Sequence, residues 1–170
     1  KAVASVLSKT DARTVSGEVK ERPADFSTEE AKKLGVTEVT GSFTTNFPHA
    51  DYRNNNLSRA AASINGTFLK PGEVFSLNGV LGERTRANGY VDGYVIMGSK
   101  LVKEPGGGVS QSATTTYNAA FFAGLEDVEH HPHTKYFPRY PAGREATVYY
   151  GSLDLRFRNN TKYGVLMQAW

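Results

Sequence analysis

Cysteine is absent from the 170-residue chain. This excludes disulfides, thiolate metal sites and a cysteine nucleophile, and leaves the compartment open. No apolar run approaches the ~20 residues that span a bilayer. No signal peptide is visible, and the chain opens at Lys1-Ala2-Val3 in the manner of an excised fragment. A dense Lys/Arg run is also missing: the net charge is +3 with a pI near 9.1, so nucleic acid is not expected as a partner. No Gly-Lys-Ser/Thr follows the glycine run, so there is no P-loop. The Gly-x-Ser-x-Gly elbow of lipases is lacking too.

What is present suits one domain with turns and strands. The chain has 17 glycines and 9 tyrosines, residues that favour turns and strands over helical bundles. At this length it buries a core without staples. Val15 to Glu21 alternates like a strand, and Pro23 to Phe26 breaks it. Ser27 then caps a short helix with Glu30 as its capping-box partner, ended by Lys32, Lys33 and Gly35. Residues 1–35 therefore read as the tail of a preceding module with its connector, and 36–170 as the main domain. Val36 to Phe47 is β-rich by composition. Leu57 to Ile64 reads as a short helix, capped from Asn54 to Asn56 and closed by Asn65-Gly66. Pro71-Gly72 is a turn, Phe75 to Leu81 a short apolar stretch, and Gly89 to Val102 a hairpin turning near Gly98-Ser99-Lys100. Ala146 to Phe157 reads as a kinked strand and Tyr163 to Trp170 as a last one. The fold class is α+β, a mostly antiparallel sheet packed on one central helix that follows a Gly-rich turn.

That helix, Val109 to Ala123, carries Val109, Ala113, Tyr117, Ala120 and Phe121 on one stripe. Tyr117, Ala120 and Phe121 are expected in the core, with Gly124 at C′. The run Gly106-Gly107-Gly108 before it implies tight backbone approach or positive φ. Ser110 falls in the first helical turn, where free N–H groups and the dipole favour negative charge. Two readings stay open: a displayed nucleophile or anion site, and a plain cap on a strained turn.

Glu129-His130-His131-Pro132-His133 is the second cluster. Strand alternation puts His131 and His133 on one face. They read as structural or general-base groups ahead of metal ligands, because no partner carboxylate has obvious ligand spacing. A Ser110–His131 or Ser110–His133 pair is the logic of an activated nucleophile, and this segment and the glycine turn are expected to line one cleft. The basic residues Lys135, Arg139, Arg144, Arg156, Arg158 and Lys162 thicken late in the chain. They are either a solvated strand face or a site for a carboxylate-bearing polymer.

Several motifs, taken in order, carry a resemblance. These are Gly41-Ser42-Phe43-Thr44-Thr45-Asn46-Phe47; Asn65-Gly66 with Pro71 to Ser76; Gly106 to Gln111 with Thr114 to Ala120; His131-Pro132-His133; and Gly151 to Asp154 with Phe157 to Thr161. Together, over roughly residues 36–165, they resemble the VanW domain. Residues 1–35 resemble the end of the peptidoglycan-binding-type module that often precedes it. The resemblance implies an extracytoplasmic place at the bacterial cell envelope and peptidoglycan or its stem peptides as partner, without a cofactor or metal. The family takes its name from an accessory gene of glycopeptide resistance clusters. Some members resemble L,D-transpeptidases in activity, using a cysteine in a Gly-Gly-Gly-x-Cys-Gln motif to attack a stem peptide. Here that position is Ser110.

Three functions follow as alternatives. In the first, Ser110 is a serine nucleophile with His131 or His133 as base, and turn amides form the oxyanion hole. The second is a stem-peptide binder in which Gly107, Gly108 and Gln111 line the cleft while Arg139, Tyr140 and Arg144 hold carboxylates. The third is a structural envelope module.

Overall fold

The computed structural model describes residues 27–97 and 100–170. The strand-like stretch Val15–Glu21, the break at Pro23–Phe26 and the hairpin tip at Gly98-Ser99 lie outside them. Helices and antiparallel strands are mixed throughout. The order is α1 (Thr28–Lys33), α2 (Asp51–Ile64), β1 (Phe68–Leu69), β2 (Val74–Ser76), α3 (Leu77–Leu81), β3 (Asp92–Met97), β4 (Lys100–Pro105), α4 (Ser110–Phe122), β5 (Glu126–Glu129), β6 (Arg156–Arg158) and β7 (Val165–Leu166).

The strands do not form one sheet. They make three small antiparallel sheets: β1-β7, β2-β6-β5, and the hairpin β3-β4. In the three-stranded sheet Phe75 faces Phe157 in register, and their rings stack with centroids 4.7 Å apart. Both are buried, with Leu77, Leu81, Leu155, Ile64 and Leu69 around them. Burying such side chains contributes roughly 1.5–3 kcal/mol each, which makes this cluster the main source of cohesion. β1 and β7 pair over only two residues, because the turn at Pro71-Gly72 follows at once and the Gly72 N–H donates to Asn159 O. The expected long last strand is therefore a short one.

Local signals hold where side chains cap backbone. Ser27 and Glu30 exchange both bonds of the capping box. α1 is tied down at its far end, where Leu34 O accepts the Gly164 N–H. Gly124, at φ 71°, closes α4: its N–H donates to Phe121 O, and Leu125 N–H donates to Ala120 O, the paired bonds of a Schellman end.

α2 begins six residues earlier than its apolar pattern, so Asn54, Asn55 and Asn56 lie inside it rather than capping it. The reason is tertiary, for Asn56 is wholly buried and its amide is spent on the backbone of other segments. Residues 36–47 form no strand. They run beside α4, where Thr45 Oγ1 lies 2.6 Å from Thr115 Oγ1 and the Gln111 amide donates to Asn46 O. A helix offers no ladder, so β-type composition here serves side-chain contact.

α4 also departs from its expected stripe. Ala113 and Ala120 are buried and Tyr117 is partly so, but Phe121 is 52% exposed. The rest of the buried face is polar: Gln111, Thr114, Thr116 and Asn118. Thr114 Oγ1 both donates to Ala146 O and accepts from Ala146 N, each at 3.0 Å, and Asn118 donates to Arg144 O. The segment 144–148 is thus bonded to a helix as if to a strand edge. Polar groups buried this way are generally paired, and of this face only Asn118 Oδ1 is buried without a partner among the described residues.

Candidate functional site

The site is built round the turn into α4. Gly106 and Gly108 have φ of 82° and 89°, a region side chains rarely adopt. Gly107 is needed for a different reason: a Cβ there would run into the backbone of Gly93 on β3. Its carbonyl accepts from Asn56 Nδ2 at 3.0 Å. The same amide donates to Val91 O at 2.9 Å, and Asn56 Oδ1 accepts the Val91 N–H at 2.9 Å. One buried asparagine thus fixes both the start of β3 and the glycine turn.

Ser110 is the first residue of α4. Its Oγ lies 2.9 Å from Thr147 Oγ1, and the Thr147 N–H donates to His131 O at 2.9 Å. The turn therefore meets the histidine segment through backbone, and among the described residues Ser110 makes no hydrogen bond to an imidazole. His131 Nε2 is 3.0 Å from Glu129 Oε1, and His133 Nδ1 is 3.0 Å from Glu145 Oε2. His130 stacks on Tyr117 at 3.9 Å and bonds Glu145 O through Nε2. Within the first turn, the Gln111 and Ser112 amides already donate to Gly108 O and Val109 O. Among the described residues, no three His, Asp or Glu side chains are grouped as a metal site requires.

A cleft of about 430 Å³ opens beside the turn, lined by residues 43–46 on one wall and 138–141 on the other. Arg139 and Tyr140 line it, and both bond the buried Gln111. The Tyr140 hydroxyl donates to Gln111 Oε1 at 2.9 Å, Arg139 Nε donates to the same oxygen at 3.2 Å, and Arg139 Nη2 donates to the Tyr140 hydroxyl at 3.1 Å. Burial pushes the Tyr140 phenol above its ordinary value, against the pull of Arg139, so it remains a donor. The Arg139 guanidinium lies 4.6 Å over both the Phe137 and Tyr140 rings. Among the described residues no carboxylate forms an ion pair with it.

His133 braces this wall from behind. Its ring stacks on Tyr140 at 5.6 Å and meets Phe137 edge-on at 4.9 Å. Burial holds its pKa below the ordinary value; Glu145 opposes that shift and Arg139 adds to it. Arg144 sits apart from Arg139, with its guanidinium over Phe122 and Phe121 at 4.9 and 5.8 Å. Phe122 in turn contacts Phe43, which lines the cleft; Arg144 itself is not among the lining residues. Sequence reasoning missed Asn56, Thr147 and Glu145. The first is hidden in a run of three asparagines, and the other two lie in an irregular segment without motif character.

The fold and site define a mixed α+β domain organised round a glycine turn and the helix that follows, with an open cleft lined by Arg139 and Tyr140, both bonded to the buried Gln111. The chain belongs to the VanW family: the model described as VanW like protein matches residues 52–170. It is similar to the uncharacterized protein YoaR of Bacillus subtilis (strain 168), with 37% identity over 134 residues, 78% of this chain and 44% of that protein. It is similar also to the vancomycin B-type resistance protein VanW of Enterococcus faecalis (strain ATCC 700802 / V583), with 32% identity over 111 residues, 62% of this chain and 40% of that protein. The chain spans under half the length of both curated relatives. No solved structure matches it.

Proposed function

We propose that this domain binds peptidoglycan stem peptides at the bacterial cell envelope without cross-linking them. The observation that carries the reading is Arg139. Its guanidinium is held by two neutral partners on the wall of a cleft, with no carboxylate to neutralise it among the described residues. A fixed planar cation in that position suits a peptide carboxylate, which it meets with paired bonds. The printed name of the Enterococcus relative ties that protein to vancomycin resistance, and a cell-wall ligand for this one agrees with it. No described helix is long and apolar enough to cross a membrane.

The partners of Ser110 support binding without cross-linking. A serine hydroxyl needs an aligned general base to attack a carbonyl. Here its partner is another hydroxyl, that of Thr147, and both candidate imidazoles are turned to carboxylates.

The test is calorimetric titration of the purified chain with tetrapeptide stems, alongside mass spectrometry of the incubated mixture. Binding is expected, with Arg139→Ala weakening it about tenfold or more, the loss of one charge-assisted pair, and with no adduct on Ser110. Cross-linked product that vanishes in Ser110→Ala would overturn the binder reading in favour of a serine acyltransferase. Absence of any stem binding would leave neither.

A further inference from the structure

The hairpin β3-β4 is a sheet of two strands, so each strand has one unpaired edge. β3 is flanked by the body of the domain: Gly93 packs against Gly107 and the Tyr52 ring, and Tyr52 meets Tyr94 edge-on at 6.1 Å. β4 is the outer strand. The register decides which of its backbone groups are spent. Gly106 N–H donates to Val91 O, and the pairing continues from Asp92↔Pro105 to Met97↔Lys100. Bonded pairs alternate with unbonded ones along an antiparallel ladder, so Glu104, Val102 and Lys100 bond inward to β3. Leu101 and Lys103 then turn their N–H and C=O outward, and neither bonds another segment among the described residues. Pro105, which has no N–H, ends the edge.

Lysines on an edge commonly keep other strands away, and Lys100 and Lys103 are both exposed. Their placement here does something else. Lys103 Nζ lies back over the Tyr94 ring of its own hairpin, 5.4 Å from the centroid. Among the described residues neither Lys100 nor Glu104 forms an ion pair, and Leu101 between them is 63% exposed. The run Lys100-Leu101-Val102-Lys103-Glu104 is complementary to its own reverse. A second copy laid antiparallel about Val102 sets each Lys100 opposite a Glu104, each Leu101 opposite a Lys103, and Val102 opposite itself. The ladder parity agrees: Leu101 and Lys103, whose N–H and C=O point outward, fall in the bonded pairs, and Val102 falls in a closer, unbonded pair. A slip of one residue faces an outward-bonding residue with an inward-bonding one and makes no ladder. A slip of two in either direction separates Lys100 from Glu104, and in one direction it sets Lys103 against itself.

We propose that β4 pairs with β4 of a second copy of this chain in an isologous dimer, joining two hairpins into a four-stranded sheet with its two-fold axis at Val102. Backbone bonds of the Leu101–Lys103 pairs, the two Lys100–Glu104 ion pairs and the covered Leu101 side chains hold it. A contact of this size belongs with small, reversible interfaces, so the dimer forms at high local concentration. Because Gly93 on β3 packs against Gly107, each half of the sheet is joined to its own glycine turn. The dimer does not depend on what the cleft binds.

The experiment uses the absence of cysteine from the chain. Val102→Cys puts a lone thiol on the axis, opposite its own copy at the separation of an unbonded pair, which a disulfide can bridge. Under mild oxidation it should give a disulfide-linked dimer about tenfold faster than Val39→Cys, a lone thiol at a position 81% exposed outside the hairpin. Sedimentation of the unsubstituted chain at rising concentration should show monomer passing into dimer. Lys100→Glu and Glu104→Lys should each raise the dissociation constant about tenfold, since each sets like charges face to face twice. The two changes together should restore it. A chain that stays monomeric at every concentration, with Val102→Cys no faster than Val39→Cys, overturns the proposal. So does a dimer indifferent to both single changes, or one that the double variant fails to restore. Leu101 and Lys103 amides that become protected from exchange only when a stem peptide is added would give the edge to that ligand and overturn it as well.

Discussion

Asn56 and Gly107 are joined across the interior: the side-chain amide of a wholly buried asparagine on α2 donates to the carbonyl of the central glycine at 3.0 Å. The same side chain makes two further bonds to Val91. Asn56→Ala removes four bonds, three to distant backbone and one from the Asn55 side chain, and leaves the buried Gly107 carbonyl without its amide partner. Each net bond is worth about 1 kcal/mol, and a stranded group costs more. A loss of about 2–4 kcal/mol in urea unfolding is expected, with weakened stem binding because the turn loosens. A loss below about 1 kcal/mol would show that water replaces the asparagine.

Gly107→Ala tests close approach in isolation. Gly107 does not have positive φ, so its cost is collision with the Gly93 backbone, which cannot yield without moving β3. A penalty of about 3 kcal/mol or failure to fold is expected. Gly143→Ala is the control: φ there is 73° and nothing lies within reach of the new methyl, so only backbone strain of roughly 1 kcal/mol remains. Equal penalties at the two sites would refute the packing account of Gly107.

Ser110 and Thr147 form a pair with a measurable coupling. Ser110→Ala and Thr147→Val each lose one hydroxyl contact, about 0.5–1.5 kcal/mol. The double variant should cost less than the sum by about 1 kcal/mol, as for residues in contact. Stem affinity should stay within about twofold in all three. A large fall in affinity without a change in stability would place the hydroxyl on the ligand.

His133 makes stability depend on pH. Its folded pKa lies below the unfolded value, near 6.5. The folded protein therefore binds fewer protons than the unfolded chain below about pH 6.5, and stability falls as pH drops through that window. The groups facing the ring are Glu145, Arg139, Tyr140 and Phe137. Glu145 opposes the shift, so Glu145→Gln should steepen the loss and His133→Gln should flatten it. Denaturation midpoints between pH 7 and 5 measure both, and identical slopes in all three proteins would exclude His133 as the source.

Cap-and-turn chemistry was legible from local residues. The box at Ser27 and Glu30, the end of α4 at Gly124, the turn at Pro71-Gly72 and the body of α4 need only neighbours a few positions away. Gln111, Arg139 and Tyr140 could be singled out from type and position, and the structure joins them by hydrogen bonds, with Arg139 and Tyr140 on the cleft wall. Arg144 could not be separated from Arg139, because the four residues between them send the two guanidinia to different aromatic groups.

By itself the sequence determined the cysteine-free chemistry, the glycine-led helix, its order among β-type segments and the family. These depend on residue identity and short spacing. Tertiary structure alone decided that Phe121 faces outward, that residues 36–47 lie along a helix instead of in a ladder, and that Ser110 meets Thr147 while His133 meets Glu145. Each depends on which distant backbone must be hydrogen-bonded once buried. Asn56, Thr114 and Asn118 perform that pairing from positions whose local pattern gives no sign of it.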